Sequence, residues 1–397
     1  MIAPCSLDTQ IAAAGFENRV LCLAKTLTSS GAKLILLHSG SRQDDGDLRL
    51  VGCRSLLNKA NGQNMLAEAA DKYLSWANFS LVRIIRDFHR EDAPDVIQVE
   101  SPFPFVPSYL SKRVSSRALI ALDAHNTELL SVFSKLNKSS PFVSLSTAMT
   151  MPFVFAAESL AARKSDIILA VSGRDVESLR GLYGIGQDKL WIVPNGVDIS
   201  MFKEPQSASK QFLHGTGERV VFFHGALGWY PNLEAANVIV DTIASRVPQA
   251  KFVICGRHPP GSLLRKVSKS GNTEYAGYVQ NLVEYIHESD VCIAPILRGG
   301  GTKLKLLEYA AAGKPIVATF KAAEGLPFVD KVHALLFRHV GAEFIEAIRR
   351  ILSNDQLADM LGSNAKKLAA KFDWSVIGSK LYDKYTSLLE RQKSKMS

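Results

Sequence analysis

Short apolar runs alternate with longer amphipathic patterns along nearly the whole chain, and this alternation restricts the fold more than any other feature of the sequence. Parallel α/β domains have this rhythm, because each buried strand is followed by a helix that covers the sheet. The first half of the chain predicts strands at 33–38, 95–100, 118–123, 166–171 and 189–193, and helices at 16–30, 64–90, 144–164 and 174–183. Gly31 is placed to end the first of these helices, and Ser172 to cap the last.

A second series of the same kind begins near Glu218. It predicts strands at 219–224, 251–255, 273–275, 290–294 and 315–318, and helices at 232–246, 281–288, 303–312, 341–353 and 355–371. The chain, at 397 residues, has the length of about two domains. We therefore predict an α/β protein with two Rossmann-like, doubly wound domains. The predicted ranges are a first domain at 1–198, a polar linker at 199–217, a second domain at 218–372 and a C-terminal helix at 373–397 that crosses back to the first domain.

The start of the chain leaves little room for a first strand. Residues 1–3 alone precede the predicted loop at 4–15. We expect either a very short first strand or a chain that begins upstream of Met1.

Composition excludes several classes of protein. The five cysteines lie far apart, without a CxxC pair, which argues against a zinc site and favours a cytoplasmic location. No run of about 18 apolar residues predicts a membrane span. The net charge of +9 suits a polyphosphate substrate or an anionic membrane surface. Nucleic acid is not an expected partner, because neither zinc-finger spacing nor an RNA-binding aromatic signature is present.

The segment 298–308, RGGGTKLKLLE, carries the strongest local signal. It joins a predicted strand to a predicted helix, and its three glycines let backbone N–H groups approach an anion without a Cβ in the way. The helix N-terminus adds a partial positive charge, so a diphosphate is stabilised there. The spacing is not that of a Walker loop, which disfavours phosphate hydrolysis. A tight turn before a salt-bridged surface helix would give the same pattern.

The side chains of this segment add chemistry to the turn. Arg298, Lys303 and Lys305 place cations around it that can neutralise phosphate oxygens. Thr302 offers an N-cap oxygen, and Glu308, one helical turn after Lys305, can accept two ribose hydroxyls.

Several segments in order resemble glycosyltransferase family 4. They are AGFENR at 14–19, AVSGRD at 170–175, PNGVD at 194–198, FHGALGWYPN at 223–232, CGRHPP at 255–260, GYVQ at 277–280 and GKPIVA at 313–318. The resemblance implies the GT-B fold, in which two Rossmann-like domains face each other across a central cleft. It also implies transfer of a sugar, with retention of its anomeric configuration, from a nucleotide-diphosphate sugar to an acceptor hydroxyl. Neither a metal ion nor another cofactor is expected from this resemblance.

Two departures from the family pattern concern the donor site. By the resemblance Glu308 is the second glutamate of the family's E-x7-E motif, the one that holds the ribose, and Gly300 stands where the first is expected. Many members also carry an arginine and a lysine at the first turn of the second domain, where this chain has Ala226 and Pro231-Asn232. We hypothesise that Arg298, Lys303 and Lys305 supply the missing charge.

In the first domain, His125 follows a predicted strand in LDAHNTE. Its imidazole can hydrogen-bond the donor sugar or the leaving phosphate, and the resemblance implies an active-site histidine on this loop. Capping of the turn together with Asp123 is the alternative. The predicted catalytic residues are His125, Lys305 and Glu308, and the predicted donor-binding residues are Gly15, Arg298, Gly299, Gly300, Gly301, Thr302, Lys303, Leu304, Arg257 and Tyr278. For Gly15, Arg257 and Tyr278 a purely structural role is the alternative.

The acceptor is expected to be a carbohydrate or a lipid-linked molecule, in polysaccharide, glycolipid or glycoconjugate assembly. The apolar stretch 141–157 suits peripheral contact with the cytoplasmic face of a membrane. Two other functions stay open: a nucleotide-sugar 2-epimerase of the same fold, and a non-catalytic partner that binds nucleotide sugar or glycan, with Gly300 as a lost catalytic residue.

Overall fold

The computed structural model describes residues 1–3, 15–38, 48–52, 79–91, 93–114, 118–136, 141–203 and 218–394. They form two compact units: Met1–Asn195 together with Trp374–Ser397, and Gly196–Asp373. Each unit contains a parallel sheet covered by helices.

The sheet of the first unit contains β1 (Leu34–His38), β2 (Leu48–Gly52), β3 (Val96–Glu100), β4 (Leu119–Ala124), β5 (Ile167–Ala170) and β6 (Leu190–Ile192). The order is β2-β1 on one side and β3-β4-β5-β6 on the other, with all pairs parallel. Ile2 joins the two sides, because it bridges both Leu37 and Val99. Residues 1–3 therefore lie in the middle of this sheet.

The helices of the first unit are α1 (Gly15–Ser29), α2 (Phe79–Glu91), α3 (Phe105–Val114), α4 (Glu128–Leu136), α5 (Pro141–Lys164) and α6 (Gly173–Tyr183). The predicted cap of α6 is confirmed, since the Ser172 side chain accepts a hydrogen bond from the Asp175 amide. Part of the predicted helix at 64–90 lies outside the described residues, as does most of the loop at 4–15. The sequence analysis did not predict β2, α3 or α4.

The sheet of the second unit contains β7 (Arg219–His224), β8 (Ala250–Cys255), β9 (Thr273–Gly277), β10 (Val291–Ala294), β11 (Ile316–Thr319) and β12 (Leu335–Phe337). Its order is β12-β11-β10-β7-β8-β9, all parallel. The chain starts in the middle, winds outward through β8 and β9, and returns to lay β10 on the other side of β7. This is the strand order of a Rossmann fold, so the switch point lies between β7 and β10.

The helices of the second unit are α7 (Tyr230–Val238), α8 (Gly261–Val267), α9 (Leu282–Glu288), α10 (Leu304–Ala311), α11 (Ala342–Ser353) and α12 (Asp355–Ala369). The helix predicted at 232–246 changes winding after α7, with a π-helix at Ile239–Ile243 and a 3₁₀ turn at Ala244–Arg246. In the predicted linker, Ile199–Phe202 forms a 3₁₀ turn, and residues 204–217 lie outside the described residues. β12 and α8 were missed by the sequence prediction.

The last helix, α13 (Trp374–Ser394), belongs to the first unit. Trp374, Ile377 and Leu381 are buried in a core that includes residues of α1 and β1. Gly378 makes the close crossing of α13 and α1 feasible, since a Cβ there would lie 2.2 Å from Thr26 Oγ1. Among the described helices, none has the length and apolar character that a membrane crossing requires.

Candidate functional site

The loops after β7 and β10 meet at the switch point of the second sheet, where ligands bind in open α/β folds. Glycines let these loops and the loop after β8 approach closely. A Cβ on Gly256 would lie 1.9 Å from the Gly225 carbonyl oxygen, and one on Gly225 would lie 2.7 Å from the Asn232 side chain. The loop after β7 is therefore held against its neighbours by backbone contact.

The glycine loop between β10 and α10 has two residues in the left-handed region, Gly299 with φ of 99° and Gly301 with φ of 71°. Gly299 packs so closely on α7 that a Cβ there would lie 2.8 Å from Pro231 Cγ. Gly300 is different, because a Cβ there would have no heavy atom within 4 Å. Gly300, which stands at the expected position of the missing glutamate, therefore has open space for a side chain.

The buried side chain of Lys303 hydrogen-bonds the backbone of this loop. Its ammonium donates hydrogen bonds to the carbonyl oxygens of Gly300, at 2.7 Å, and Gly301, at 2.6 Å, and the residue is 4% exposed. Burial, with a smaller effect of the Lys321 charge, lowers the pKa of Lys303 to about 8. The described contacts make Lys303 a support of the loop.

The prediction that Thr302 caps the helix is wrong. The N-cap is Lys303, in an extended conformation, and α10 begins at Leu304. Leu304 itself is half-buried against the hydrophobic core.

Lys305 is a buried cation in the first turn of α10. Its ammonium donates to Asn232 Oδ1 at 2.8 Å and lies 4.1 Å from the centre of the Phe223 ring, and the residue is 7% exposed. Burial lowers its pKa to about 7; the Glu308 carboxylate opposes this shift and the Lys303 charge adds to it. Lys305 thus meets α7 at Asn232, near the expected position of the missing family lysine.

Glu308 faces His224, the last residue of β7. Glu308 Oε2 lies 3.0 Å from His224 Nε2, and the His224 amide donates to the Tyr309 hydroxyl at 3.2 Å. Burial acts to raise the pKa of Glu308, but the lowering effect of His224 and Lys305 is larger. The pKa of Glu308 is therefore below its ordinary value. Sequence reasoning gave His224 no partner, and the structure assigns it to Glu308.

The remaining predicted donor residues surround the same loops. Arg298 is exposed, with Nε 3.4 Å from Glu234 Oε1 on α7. The Arg257 guanidinium stacks on the Tyr278 ring at 3.9 Å, beyond β8 and β9. Arg298 is thus drawn towards a carboxylate, while Arg257 and Tyr278 form a cation–π pair with each other.

In the first unit, His125 follows β4 and pairs with Glu100 at the end of β3. His125 Nε2 lies 2.8 Å from Glu100 Oε2, and the Phe16 ring stacks on the imidazole at 4.2 Å. Glu100 is fully buried, and burial, together with the Asp123 charge, raises its pKa. Gly15, the first residue of α1, is exposed.

Asp123 has a separate partner. Arg19 donates to both of its oxygens, each at 3.0 Å, and also to the Pro194 carbonyl oxygen. The alternative in which His125 caps a turn with Asp123 is therefore wrong, since Asp123 Oδ2 is 4.0 Å from His125 Nε2. Glu100, the actual partner, was missed because nothing in the local sequence relates it to His125.

Glu100, Asp123 and His125 bring potential metal-ligand atoms within 4.8 Å of one another. Both oxygens of Asp123 accept hydrogen bonds from Arg19, whose positive charge lies against the cluster. A guanidinium in that place disfavours a second cation. We interpret the group as an internal hydrogen-bonded network.

The comparisons with known proteins agree with this geometry. The Glycosyltransferase Family 4 profile matches residues 13–201, and the profile described as Glycosyl transferases group 1 matches residues 218–354. The chain belongs to glycosyltransferase family 4. The predicted family and the predicted GT-B fold class are thereby confirmed.

The curated proteins that the chain resembles include named glycosyltransferases. A phosphatidyl-myo-inositol mannosyltransferase of Mycolicibacterium smegmatis is 23% identical over 98% of this chain and 93% of that protein. Matches to several other curated relatives span 53% to 62% of the relatives' length.

Solved structures show the same fold at low sequence identity. The sucrose-phosphate synthase of Thermosynechococcus elongatus has a TM-score of 0.76 at 16% identity, over 96% of this chain and 94% of that one. Anabaena HepE in complex with UDP-glucose has a TM-score of 0.66 at 15% identity, over 97% and 98%.

Proposed function

We propose that the protein is a retaining glycosyltransferase that moves a sugar from a nucleoside-diphosphate sugar to an acceptor hydroxyl. One observation carries the proposal. At the switch point of the second sheet, a buried Lys305 and a half-buried Glu308 lie one helical turn apart behind a glycine loop.

The diphosphate is assigned to the start of α10. Lys305 makes its hydrogen bond to a neutral amide, so its charge is available to an arriving anion. Backbone N–H groups of the glycine loop and the helix N-terminus favour the same anion. A solved relative in fold, HepE, is named as a complex with UDP-glucose, which is a ligand of this class.

The ribose is assigned to Glu308. Its pKa below the ordinary value keeps the carboxylate ionised, and an ionised carboxylate accepts hydrogen bonds from two hydroxyls. His224 holds the carboxylate in place from β7.

The reaction is proposed to proceed by attack of the acceptor on the face from which the diphosphate leaves, with the leaving phosphate helping to take the acceptor proton. The protein would contribute positioning and stabilisation of the developing negative charge, mainly through Lys305. His125 would hydrogen-bond the donor sugar or the leaving phosphate. No cofactor is proposed beyond the nucleotide-sugar donor.

The acceptor is proposed to be lipid-linked and to be reached by peripheral contact with the cytoplasmic face of an anionic membrane. Large apolar side chains on α4 and α5 are exposed, among them Phe133, Phe153 and Leu160, and exposed Arg163 and Lys164 end α5. The M. smegmatis relative is named a phosphatidyl-myo-inositol mannosyltransferase, and phosphatidyl-myo-inositol is a phospholipid. Flotation with vesicles in which one third of the lipid is anionic tests the proposal. If the protein stays in the unbound fraction at low salt, the proposed membrane contact is ruled out.

Donor binding is the first test of function. Thermal unfolding with UDP-, GDP- and ADP-sugars is expected to show a rise in melting temperature for one nucleotide, because a ligand that binds the native state stabilises it. That rise is expected to vanish in the Lys303→Ala/Lys305→Ala variant. No response to any nucleotide sugar would contradict the proposal, and conversion of the donor alone into its 2-epimer would indicate the epimerase.

A further inference from the structure

A series of buried hydrogen bonds links the C-terminal helix α13 to the His125 ring. The Tyr385 hydroxyl donates to Gln98 Oε1 at 2.8 Å, and Gln98 Nε2 donates to Glu100 Oε1 at 2.6 Å. The second oxygen of Glu100 lies 2.8 Å from His125 Nε2. Tyr385 is 7% exposed, Gln98 3% and Glu100 0%, so water competes little for these bonds.

The series has a fixed direction. Burial, together with the charges of Asp123 and Glu100, raises the pKa of Tyr385 well above its ordinary value, so the phenol keeps its proton and donates. The Gln98 oxygen is then occupied, and its amide can offer only N–H to Glu100. Glu100 therefore accepts with Oε1 and turns Oε2 to the imidazole. Wherever the shared proton lies, the Nε2 edge of His125 is engaged by Glu100.

Both ends of the segment that carries His125 are also anchored. On one side, Asp123 is held by Arg19. On the other side, the amides of Glu128 and Leu129, at the start of α4, donate to the buried Glu158 carboxylate at 2.8 and 3.0 Å. The backbone therefore brings the ring to one place, and its rotation is left to Glu100 and the stacked ring of Phe16.

Backbone strain next to Glu100 supports a positioning role. Ser101 directly follows Glu100 and has φ of 107°, a conformation that residues with a Cβ rarely adopt. Such strain persists where the surrounding structure imposes it, and it concentrates at functional sites.

We propose that α13, acting through Tyr385, Gln98 and Glu100, positions His125 so that its Nε2 edge is held by the protein and its Nδ1 edge is left for the donor. Among the described residues, none hydrogen-bonds Nδ1. The inference rests on the proposed role of His125 and adds three positioning residues to it. Tyr385 lies 287 residues from Gln98, so the end of the chain sets the geometry near its beginning.

The direct test is the tautomer of His125 in the full chain without substrate. Long-range ¹H–¹⁵N spectra of the histidine side chains give the tautomer, and the loss of one signal set in His125→Gln assigns it. In the wild type the proton is expected on Nε2. In Glu100→Gln the direction of the series leaves the new amide N–H₂ facing His125, so Nε2 must accept and the proton is expected to move to Nδ1.

Tyr385→Phe tests the far end of the series with one hydroxyl removed. Gln98 then loses its fixed orientation, and the His125 signals are expected to shift or broaden. Tyr382→Phe, on the same helix, is the matched control and is expected to leave them unchanged. The inference is overturned if Tyr385→Phe leaves the His125 signals as in the wild type, or if Glu100→Gln folds with the proton still on Nε2.

Kinetics with the donor found by thermal shift give a second measurement. We expect kcat to fall roughly 10- to 100-fold in Glu100→Gln, as for other groups that orient a functional imidazole, and about 2- to 10-fold in Tyr385→Phe. The donor KM is expected to stay near the wild-type value, because a positioning defect acts in the transition state. Equal loss in Tyr382→Phe would indicate a structural effect only. If no donor is found, the proposed function fails while the NMR result still decides the inference.

Discussion

The two units carry charged clusters at the carboxyl ends of their parallel sheets, but the buried cations in the two clusters have different kinds of hydrogen-bond partner. In the first unit the cation of Arg19 meets the carboxylate of Asp123 in two hydrogen bonds, and Glu100 meets His125. In the second unit the ammonium groups of Lys303 and Lys305 donate to carbonyl and amide oxygens, which carry no formal charge.

This difference separates two physical tasks. Buried opposite charges that satisfy each other fix geometry, and they make it costly to remove either partner. Burial lowers the pKa of both lysines. A buried cation that meets only neutral acceptors gains energy when an anion arrives. We therefore propose that the first cluster serves positioning and that Lys305, in the second cluster, serves binding.

The largest effect is expected where a balanced pair is broken. Arg19→Met leaves the buried carboxylate of Asp123 without its partner, which costs about 3–5 kcal/mol in the free energy of unfolding. Urea unfolding followed by tryptophan fluorescence measures this, since Trp191 and Trp374 lie in the first unit. The double variant Arg19→Met/Asp123→Leu is expected to recover part of the loss. A loss below about 1 kcal/mol in Arg19→Met would mean that the pair is not the anchor we describe.

Removal of the proposed binding cation is expected to lower ligand affinity and not the stability of the protein. Lys305→Met should weaken the binding of the nucleoside diphosphate about 10- to 100-fold, the range of one hydrogen bond to a charged group. Its stability without ligand should stay equal or rise, because a desolvated cation is removed. Isothermal titration calorimetry gives the affinity, and Lys269→Met, an exposed lysine with the same charge change, is the control. Lower stability with unchanged affinity would reverse the assignment of the two clusters.

Because the pKa of Lys305 is about 7, both the affinity for the diphosphate and the stability of the protein are expected to depend on pH near neutrality. An arriving phosphate favours the protonated amine, so affinity for the diphosphate should be full below pH 7 and fall as the pH rises through about 7. Stability without ligand should change in the opposite sense. The folded-state pKa is below the unfolded value, so this group's contribution is present above pH 10.5 and is lost as the pH falls through about 7. Titrations from pH 6 to 9 against Lys305→Met isolate this group; equal pH profiles for the two proteins would contradict it.

The fold was predictable where apolar patterns are strong. Strand β7 has the predicted bounds, because its apolar run stands between a charged residue and a glycine loop. Helix α3 was missed because prolines at 102, 104 and 107 suggest a loop, although proline is tolerated in a first helical turn. Strands β2 and β12 are short, and short runs give little periodicity to detect.

The candidate site residues could be named from the sequence, but their hydrogen-bond and ion-pair partners could not. Lys305, Glu308 and His125 stand in recognisable motifs, whereas their partners do not. Lys305 meets a residue 73 positions away and His125 one 25 positions away, and it is the order of strands in the sheets that brings them together. Only the three-dimensional fold could therefore show which charges are balanced.

The smallest effect on stability and affinity is expected when a negative charge is added to the glycine loop of the second unit. Gly300→Glu restores the carboxylate that the family places there, and its Cβ would meet no heavy atom within 4 Å. Stability is therefore expected to change by no more than about 0.5 kcal/mol. Gly299→Ala, the control, should lose about 1 kcal/mol or more, because its φ is 99° and Pro231 lies in the way.

The new carboxylate would stand beside the loop that Lys303 holds and would offset part of the positive charge. We expect the nucleoside diphosphate without sugar to bind a few-fold more weakly, and this difference to shrink in 1 M salt, where the Debye length falls to about 3 Å. Calorimetry at two salt concentrations measures both. Tighter binding of the bare diphosphate would show that the site does not depend on an excess of positive charge, and the contrast between the two clusters would then have to be explained by geometry alone.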